Sequence, residues 1–200
     1  MLDHHYPTIE SRGTEAAYRL LEVISSKTSE LIVDWMRVGF VHGVLNTDDM
    51  SLHGLTIDYG PYGWLEEFRL NWTPNTTDAQ GGRQPDIGLW NLTRLGDSMY
   101  GFLYDVERLK DAVGVYKTSF EFKYPLMLRS KLGLGKQIDT ADEQLVGMIG
   151  QGLSDGGFDV TVFYQRLSSL KHHKNTLEPG NALRHFKAAS YASNFDSRFV

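Results

Sequence analysis

The feature that most constrains this fold is a glycine-punctuated acidic stretch, FVHGVLNTDDMSLHGLTIDYGPYG, at residues 40–63. It carries three aspartates, Asp48, Asp49 and Asp58, together with four glycines, among apolar residues. Because glycine is costly in helices and marks turns, the stretch predicts consecutive loops with at most a short strand over residues 55–57. Such a segment is expected to display its carboxylates from loops rather than from a long helix.

Helical periodicity surrounds this stretch. Apolar residues at three- and four-residue steps predict a helix over residues 14–38, with Thr14 as its N-cap and Gly39 as its stop. Residues 64–86 are predicted to be a loop. A further helix is predicted from Pro85-Asp86 through Met99, and one or two more helices are predicted within 104–132. The helix signal is weaker at 141–152 and 158–170, and a short helix is also indicated over 182–189. The chain is therefore predicted to be mainly α.

Composition narrows the classes of function. A chain of 200 residues is long enough for one domain or for one lobe of a larger protein. The net charge of −5 argues against a general nucleic-acid binder, which needs a basic surface. The chain has no cysteine, which excludes disulfides, thiolate catalysis and cysteine-based zinc sites. The sequence has neither a recognisable signal peptide nor an apolar run of about 20 residues, so the expected compartment is the cytoplasm.

The aspartates follow part of the spacing of a protein kinase. A kinase catalytic loop has a His, an Asp two residues later and a metal-binding Asn five residues after that Asp, and a second metal-binding Asp follows in an Asp-Phe-Gly turn. Here His42 begins the pattern, Val44 stands at the position of the base, and Asp49 stands at the position of the Asn. Asp58-Tyr59-Gly60 resembles the Asp-Phe-Gly turn. The metal-binding half of a kinase-like site is therefore indicated, without its usual base.

Two carboxylates on neighbouring loops suit Mg²⁺ or Mn²⁺, because hard cations prefer oxygen ligands and neutralise a nucleotide triphosphate. Asp48 would then be free to act as a base or to orient an attacking hydroxyl. The alternative interpretation is that these aspartates are solvated turn residues, as is common in stretches rich in Asp and Gly. The nearby aromatic residues have two readings as well, an adenine platform or, more favoured, packing on the helices: Tyr59, Tyr62, Trp64 and Phe68.

The block HGVLNTDDMSLHGLTIDYGPYGWLEEF, which begins at His42, resembles the most distinctive block of the selenoprotein O (SelO) family. Other segments are similar to that family too: HYP at 5–7, WMRVGF at 35–40, WTPNTTD at 72–78, QPDIGLWN at 84–91, FKY at 122–124 and SKLGL at 130–134. The resemblance covers roughly residues 1–170 and leaves a poorly assigned tail at 171–200.

The resemblance implies the C-terminal lobe of a protein-kinase-like α+β fold. Within residues 1–200 it implies catalytic and metal loops with a short strand pair at 40–63, an activation-segment-like loop at 64–86 and a helical region at 86–170. The nucleotide-binding N-terminal lobe is not recognisable, so the chain is expected to be part of a larger SelO-like protein. The implied activity is protein adenylyltransfer: AMP passes from ATP, bound in an orientation flipped relative to kinases, to Ser, Thr or Tyr hydroxyls of proteins, with Mg²⁺ or Mn²⁺.

Carried over residue by residue, the resemblance implies that Asp48 is the proton acceptor. It implies that Asp49 is a metal ligand at a position where the family normally has Asn, and that Asp58 is the second metal ligand, beside the ATP phosphates. The expected partners are ATP and protein substrates, with no nucleic acid and no membrane. Two alternatives stay open: a catalytically inactive pseudokinase remnant or binding module, and a true protein kinase, against which Val44 counts.

Overall fold

The computed structural model describes residues 2–69, 72–75, 83–134 and 140–169. These residues form six helices, α1 (Leu2–His5), α2 (Gly13–Val38), α3 (Gln84–Leu103), α4 (Val106–Lys131), α5 (Thr140–Gly156) and α6 (Val160–Ser169). Two short strands, β1 (Phe40–Val41) and β2 (Gly63–Trp64), pair in one small sheet. The prediction of a mainly α chain is confirmed, and the strand pair brackets the stretch 40–63 as expected. Among the described residues, no helix is long and apolar enough to cross a membrane.

The chain divides into two compact units. Among the described residues, the first unit takes those of 1–63 and 71–127, and the second takes those of 64–70 and 128–200. All three candidate aspartates lie in the first unit. The possible helix over 182–189 lies outside the described residues.

The core of the first unit is built on the apolar stripe of α2. Its buried side chains pack against those of α3 and α4, forming one cluster that includes Leu21, Ile24, Ile32, Trp35, Leu92, Ala112, Val113 and Tyr116. The helices α2 and α3 approach closely at Gly88, where a Cβ would lie 2.3 Å from the Cδ1 atom of Ile32. Burial of the Tyr116 ring raises the pKa of its hydroxyl, which donates a hydrogen bond to the carbonyl of Pro85. This packing holds α3 in place beside the stretch 40–63.

The boundaries of α2 confirm one prediction and correct another. Gly39 ends the helix in the left-handed conformation, φ 73°, and its N–H contacts the carbonyls of Trp35 and Met36. Thr14, predicted as the N-cap, instead lies inside the helix, and the N-cap position is taken by Arg12 without a side-chain capping bond. The prediction failed because Gly13 adopts a positive φ and continues into the helix, which begins one residue before Thr14.

The strand predicted over residues 55–57 is wrong. The structure has only an isolated bridge between Met50 and Thr56 there, while the named strands lie at β1 and β2. The side chains of Leu55 and Ile57 both face solvent, so burial of apolar surface does not stabilise an extended strand here. The single helix α4 occupies the range 104–132, for which one or two helices were predicted, and it continues past Pro125.

The second unit has a small core of its own. Ile149 and Leu153 of α5 pack against Phe163 of α6, with Phe68 and Phe158 at the edge. The segment before α6 pairs with residues 66–68 through two backbone bonds, Val160 N–H to the carbonyl of Glu66 at 2.7 Å and Phe68 N–H to the carbonyl of Phe158 at 3.3 Å. The two helices predicted at 141–152 and 158–170 are confirmed as α5 and α6, separated at Gly157, which has φ 59°.

Candidate active site

Asp48 is displayed on a tight turn that we call the Asp48 turn, residues 46–49. The N–H of Asp49 donates to the carbonyl of Asn46 at 3.2 Å, which closes the turn. The hydroxyl of Thr47 donates to Oδ1 of Asp48 at 3.3 Å. Asp48 is exposed and Asp49 is half-buried. The turn therefore presents one carboxylate to solvent and keeps the next one against the protein.

Two buried amide side chains of α3 hold the chain on the way to this turn. Oε1 of Gln84 accepts a hydrogen bond from the N–H of His42, and its Nε2 donates to the carbonyl of Phe40, both at 2.9 Å. Two helical turns further along α3, Nδ2 of Asn91 lies 3.2 Å from the carbonyls of both Leu45 and Asn46. Because α3 is fixed in the core, the backbone from β1 to the Asp48 turn is fixed as well.

His42 connects β1 to the segment that carries the third aspartate, which we call the Asp58 segment, residues 55–62. The His42 side chain is fully buried, and its Nε2 lies 2.8 Å from the carbonyl of Ile57. A carbonyl only accepts, so Nε2 carries the proton. Asp58 follows directly, exposed and in the left-handed conformation with φ 49°, which Asp tolerates better than most residues. A second bond, from Nε1 of Trp35 to Oγ1 of Thr56 at 2.9 Å, supports the same segment.

Gly43 permits the Asp58 segment to close over the beginning of the loop. It has φ 82°, and a Cβ at this position would lie 1.9 Å from the carbonyl oxygen of Pro61. The ring of Pro74 approaches the same point, and Nδ2 of Asn75 donates to the Gly43 carbonyl at 3.2 Å. No side chain fits here, so glycine is required by both conformation and space.

The N-terminal segment reaches the far side of the same loop region. The hydroxyl of Tyr6, a buried residue, donates to the carbonyl of Leu52 at 2.6 Å, and its ring stacks on His53 with centroids 5.5 Å apart. Burial raises the pKa of the Tyr6 hydroxyl, so it remains a donor at neutral pH. Residues 51–54, which connect the two aspartate-bearing elements, are thus held from outside the loop.

The structure puts Asp48 and Asp49 on one turn and Asp58 on a neighbouring segment that is tied to the same strand, β1, through His42. In the part of the chain that the structure describes, no three His, Asp or Glu side chains converge as a metal-ligating cluster. The candidate ligands are thus carboxylate oxygens of the three aspartates, and the described residues do not enclose an ion on all sides. That chemistry fits an ion of the Mg²⁺ kind, which proteins usually hold by one or two carboxylates while substrate phosphates and water supply the remaining oxygens.

The aromatic residues near Asp58 divide between the two readings. Tyr62 stacks on Phe40 with centroids 5.7 Å apart, and Tyr59 contacts Tyr62 edge-on at 5.3 Å. Both tyrosines remain about half exposed, at 48% and 49%. Phe68 packs in the core of the second unit. The favoured interpretation, packing, is supported for Phe68 and in part for Tyr62.

Sequence reasoning missed the supporting residues Gln84 and Asn91. They were recognised only as letters of the block QPDIGLWN, although they lie seven residues apart and thus on one face of a helix. Gly88 lies between them on that face, at the close crossing of α2 and α3. The signal in the sequence is a pair of amides at helical spacing with a glycine between them, on a face that also carries core residues. That pattern would have indicated that the two amide side chains are buried and bind the backbone of another segment.

Comparison with known proteins assigns the family. The chain matches the family described as "Protein adenylyltransferase SelO" over residues 1–198, and it belongs to this family. It is 42% identical over 191 residues to the protein nucleotidyltransferase YdiU of Rhodopirellula baltica, covering 91% of this chain and 35% of that protein. For YdiU of Flavobacterium johnsoniae the identity is 41% over 175 residues, covering 85% and 33%, and for YdiU of Tolumonas auensis it is 46% over 146 residues, covering 70% and 28%.

The family resemblance inferred from the sequence is thereby confirmed. The match extends through residue 198, beyond the roughly 170 residues that the sequence motifs covered. The chain spans about a third of the length of the curated relatives that it matches.

Proposed function

We propose that this chain carries the metal-binding and proton-accepting part of a protein adenylyltransferase. Membership of the SelO family supports this activity, and the names of the relatives describe them as protein nucleotidyltransferases. The observation that carries the proposal is local. The Asp48 turn, which carries one exposed carboxylate, is bound by the buried Asn91 side chain of α3. The Asp58 segment, which carries another, is bound by the buried side chain of His42, the residue after β1 whose N–H is held by Gln84.

The arrangement around β1 supports assignment of the first unit to the C-terminal lobe of a kinase-like fold. A long helix, α2, leads into the strand and the Asp48 turn, α3 binds the backbone at that turn, and the Asp58 segment follows in the sequence. Val44 stands where a kinase has its catalytic base, and its side chain is not ionisable. This absence of a carboxylate favours nucleotidyl transfer over kinase activity, because the attacking hydroxyl has to meet a different group.

In the proposed mechanism Asp48 accepts a proton. The hydroxyl oxygen of a substrate Ser, Thr or Tyr attacks the α-phosphorus of ATP, the bond from that phosphorus to the oxygen bridging to the β-phosphate breaks, and pyrophosphate leaves. The hydroxyl proton passes to the carboxylate of Asp48, which is suited to this role because it is exposed on its turn. The Thr47 hydroxyl, 3.3 Å from Oδ1, orients that carboxylate.

Asp49 and Asp58 would hold a divalent cation, Mg²⁺ or Mn²⁺. Such an ion supplies charge stabilisation to the phosphates and orients the triphosphate. The part played by the chain is to keep two oxygen ligands on separate elements at fixed positions, with Asp49 half-buried against the protein and Asp58 held in its left-handed conformation. The family normally has Asn at position 49, so Asp49 retains an oxygen ligand and adds one negative charge beside Asp48.

Label transfer from ATP tests this proposal. The protein, prepared at the full length of its family, is incubated with Mn²⁺ and ATP labelled at either the α- or the γ-phosphate. Label retained on protein from the α-position, with none from the γ-position, is the expected result. Transfer of the γ-label would establish a kinase instead, and no transfer of either label by a folded protein would indicate an inactive remnant or a binding module.

Asp49→Asn refines the assignment of the metal ligand. The variant restores the residue usual in the family, keeps an oxygen for the cation and removes one of two adjacent charges. Transfer of AMP is expected to be retained or increased. Complete loss of transfer by Asp49→Asn would show that the carboxylate itself is required and that its assignment as the equivalent of the family Asn is wrong.

A further inference from the structure

We infer that Asn91 is a positioning residue that sets the conformation of the Asp48 turn. Asn91 lies on α3 and contacts neither Asp48 nor Asp49 in any hydrogen bond that the structure shows for it. Its amide instead binds the chain on both sides of the turn. The inference rests on the proposed function, because it matters for the reaction only if the aspartates of this turn act in it.

The contacts of the Asn91 amide enclose the turn. Nδ2 lies 3.2 Å from the carbonyl of Leu45, which precedes the turn, and 3.2 Å from that of Asn46, its first residue. It also lies 2.8 Å from the Sδ atom of Met50, which follows the turn. The carbonyl of Asn46 accepts a second hydrogen bond from the N–H of Asp49, the bond that closes the turn. One buried side chain therefore holds the carbonyl on which the turn closes and also contacts the residue after the turn.

The other end of the Asn91 amide supports a role beyond packing. Asn91 is only 4% exposed, and among the residues that the structure describes its Oδ1 atom has no hydrogen-bond partner. A buried acceptor without a partner destabilises the folded state. A leucine has the same branched shape and the same number of heavy side-chain atoms without that unpaired acceptor, so the benefit of an amide at this position lies in its N–H donors. Those donors are directed at the turn.

The surroundings of Asn91 make it a rigid support. Its neighbour Leu92 is in the main core cluster, and the same helix is held by Gln84 near its beginning and by the close crossing at Gly88. Asp48, by contrast, is exposed, and its only side-chain contact that the structure gives is the Thr47 hydroxyl. The position of the proposed proton acceptor is thus determined by backbone that Asn91 binds, rather than by contacts of its own carboxylate.

Two variants of Asn91 separate donation from packing. Asn91→Leu fills the space without donors. Asn91→Asp is nearly isosteric, but its ionised form offers only acceptors to the two carbonyls, whereas its protonated form has one O–H donor. Burial raises the pKa of such a carboxyl, so protonation is accessible under mildly acidic conditions. Both variants leave the rest of the loop unchanged, so Asn91→Leu corrects for any effect of pH that does not involve position 91.

The measurement is amide hydrogen exchange of Asp49 and Met50 in the 200-residue chain, corrected for the intrinsic effect of pH. Both variants are expected to exchange at least tenfold faster than the wild type at pH 8. At pH 5 protection should return in Asn91→Asp but not in Asn91→Leu. Gln151→Glu, an amide-to-acid change at an exposed position of α5, serves as the matched control and should behave as wild type.

The outcomes separate this inference from the proposed function. Wild-type exchange in both Asn91 variants would overturn the positioning role, whatever the protein catalyses. Fast exchange in both variants without recovery of Asn91→Asp at pH 5 would show that Asn91 acts by packing alone, which also overturns it. If exchange follows the expected pattern while the label-transfer assay shows no AMP transfer, Asn91 positions the turn and the proposed function fails by itself.

Discussion

The Asp48 turn and the Asp58 segment both follow β1 along the chain, but they are held by different kinds of contact. The chain that leads into the Asp48 turn is bound by two buried amide side chains of α3, those of Gln84 and Asn91. The Asp58 segment is bound by the side chains of His42 and Trp35 and by the bridge between Met50 and Thr56. Its Leu55 side chain remains 59% exposed. One region is set by the core, whereas the other keeps apolar surface in contact with solvent.

The different supports of the two regions bear on the roles proposed for their carboxylates. A proton acceptor has to be placed accurately relative to the attacking hydroxyl, since small misplacements are costly in catalysis. The rigid support of Asp48 agrees with this requirement for the proposed proton acceptor. Mg²⁺ is usually held by one or two carboxylates while phosphates and water supply the remaining oxygens, so the proposed ligand Asp58 is one of several around the ion.

The largest effect is expected from Asp58→Ala in the protein of family length. Loss of a metal ligand beside the phosphates removes charge stabilisation of several kcal/mol, so AMP transfer should fall by roughly a thousandfold. Thermal stability should fall only slightly: the side chain is exposed, but Ala tolerates the left-handed φ of 49° less well than Asp. Asp58→Asn is the control that keeps an oxygen and the tolerance for positive φ, and it should retain part of the activity. Undiminished label transfer by Asp58→Ala would remove Asp58 from the site.

The second effect concerns the contact between the two regions. Gly43→Ala forces a side chain into a left-handed position and against the Pro61 carbonyl, so it should destabilise the protein by about 2–4 kcal/mol. Gly114→Ala in α4, where a Cβ meets open space, should instead stabilise by about 0.5–1 kcal/mol. Urea denaturation measures both. Equal stability of Gly43→Ala and wild type would mean that the Asp58 segment does not lie on Gly43.

A smaller effect is expected from Tyr6→Phe, which removes one hydrogen bond to the Leu52 carbonyl and keeps the ring. A single hydrogen bond of this type contributes about 1 kcal/mol. The loss should increase hydrogen exchange in residues 51–54 more than in the Asp48 turn, because Asn91 still holds the turn. Faster exchange in the turn than in residues 51–54 would contradict the separate support of the two elements.

The smallest effect is expected far from both regions, at the exposed pair of Glu15 on α2 and Arg108 on α4. The Arg108 guanidinium lowers the pKa of the Glu15 carboxyl below 4.5. A lowered pKa in the folded state stabilises the protein above pH 4.5, and this contribution disappears as the pH falls through the lowered value. Glu15→Gln should therefore lower the melting temperature slightly at pH 7 and not at all in strong acid. A difference that grows on acidification would contradict the pairing.

Much of the fold could be predicted from the sequence because it depends on periodicity. The apolar stripe of α2 and its stop at Gly39 follow from local rules, and so does the helix beginning near Pro85. The strand over 55–57 failed for a tertiary reason, since these residues pair with the rest of the chain only through the single bridge between Thr56 and Met50. The N-cap failed because Gly13, with its positive φ, entered the helix.

The sequence motif predicts the carboxylates of the candidate site but not the side chains that position them. The spacing from His42 to Asp49 and the Asp58-Tyr59-Gly60 turn predict which carboxylates form the candidate site. The side chains that place them, Gln84 and Asn91, act across more than forty residues of sequence. Contacts at that separation depend on how α3 packs on α2, which no local pattern of the loop specifies.

If the Asp48 turn and the Asp58 segment together hold one divalent cation, as proposed, the same ion should affect both. Titration of the 200-residue chain with Mn²⁺, followed by paramagnetic broadening of its backbone amide signals, tests this shared site. Signals of residues 48–50 and 57–59 are expected to broaden together at the lowest Mn²⁺ concentrations, and Asp58→Ala should weaken the broadening in both segments. Broadening confined to one of the two segments, or spread evenly over the exposed carboxylates of the chain, would contradict the shared site.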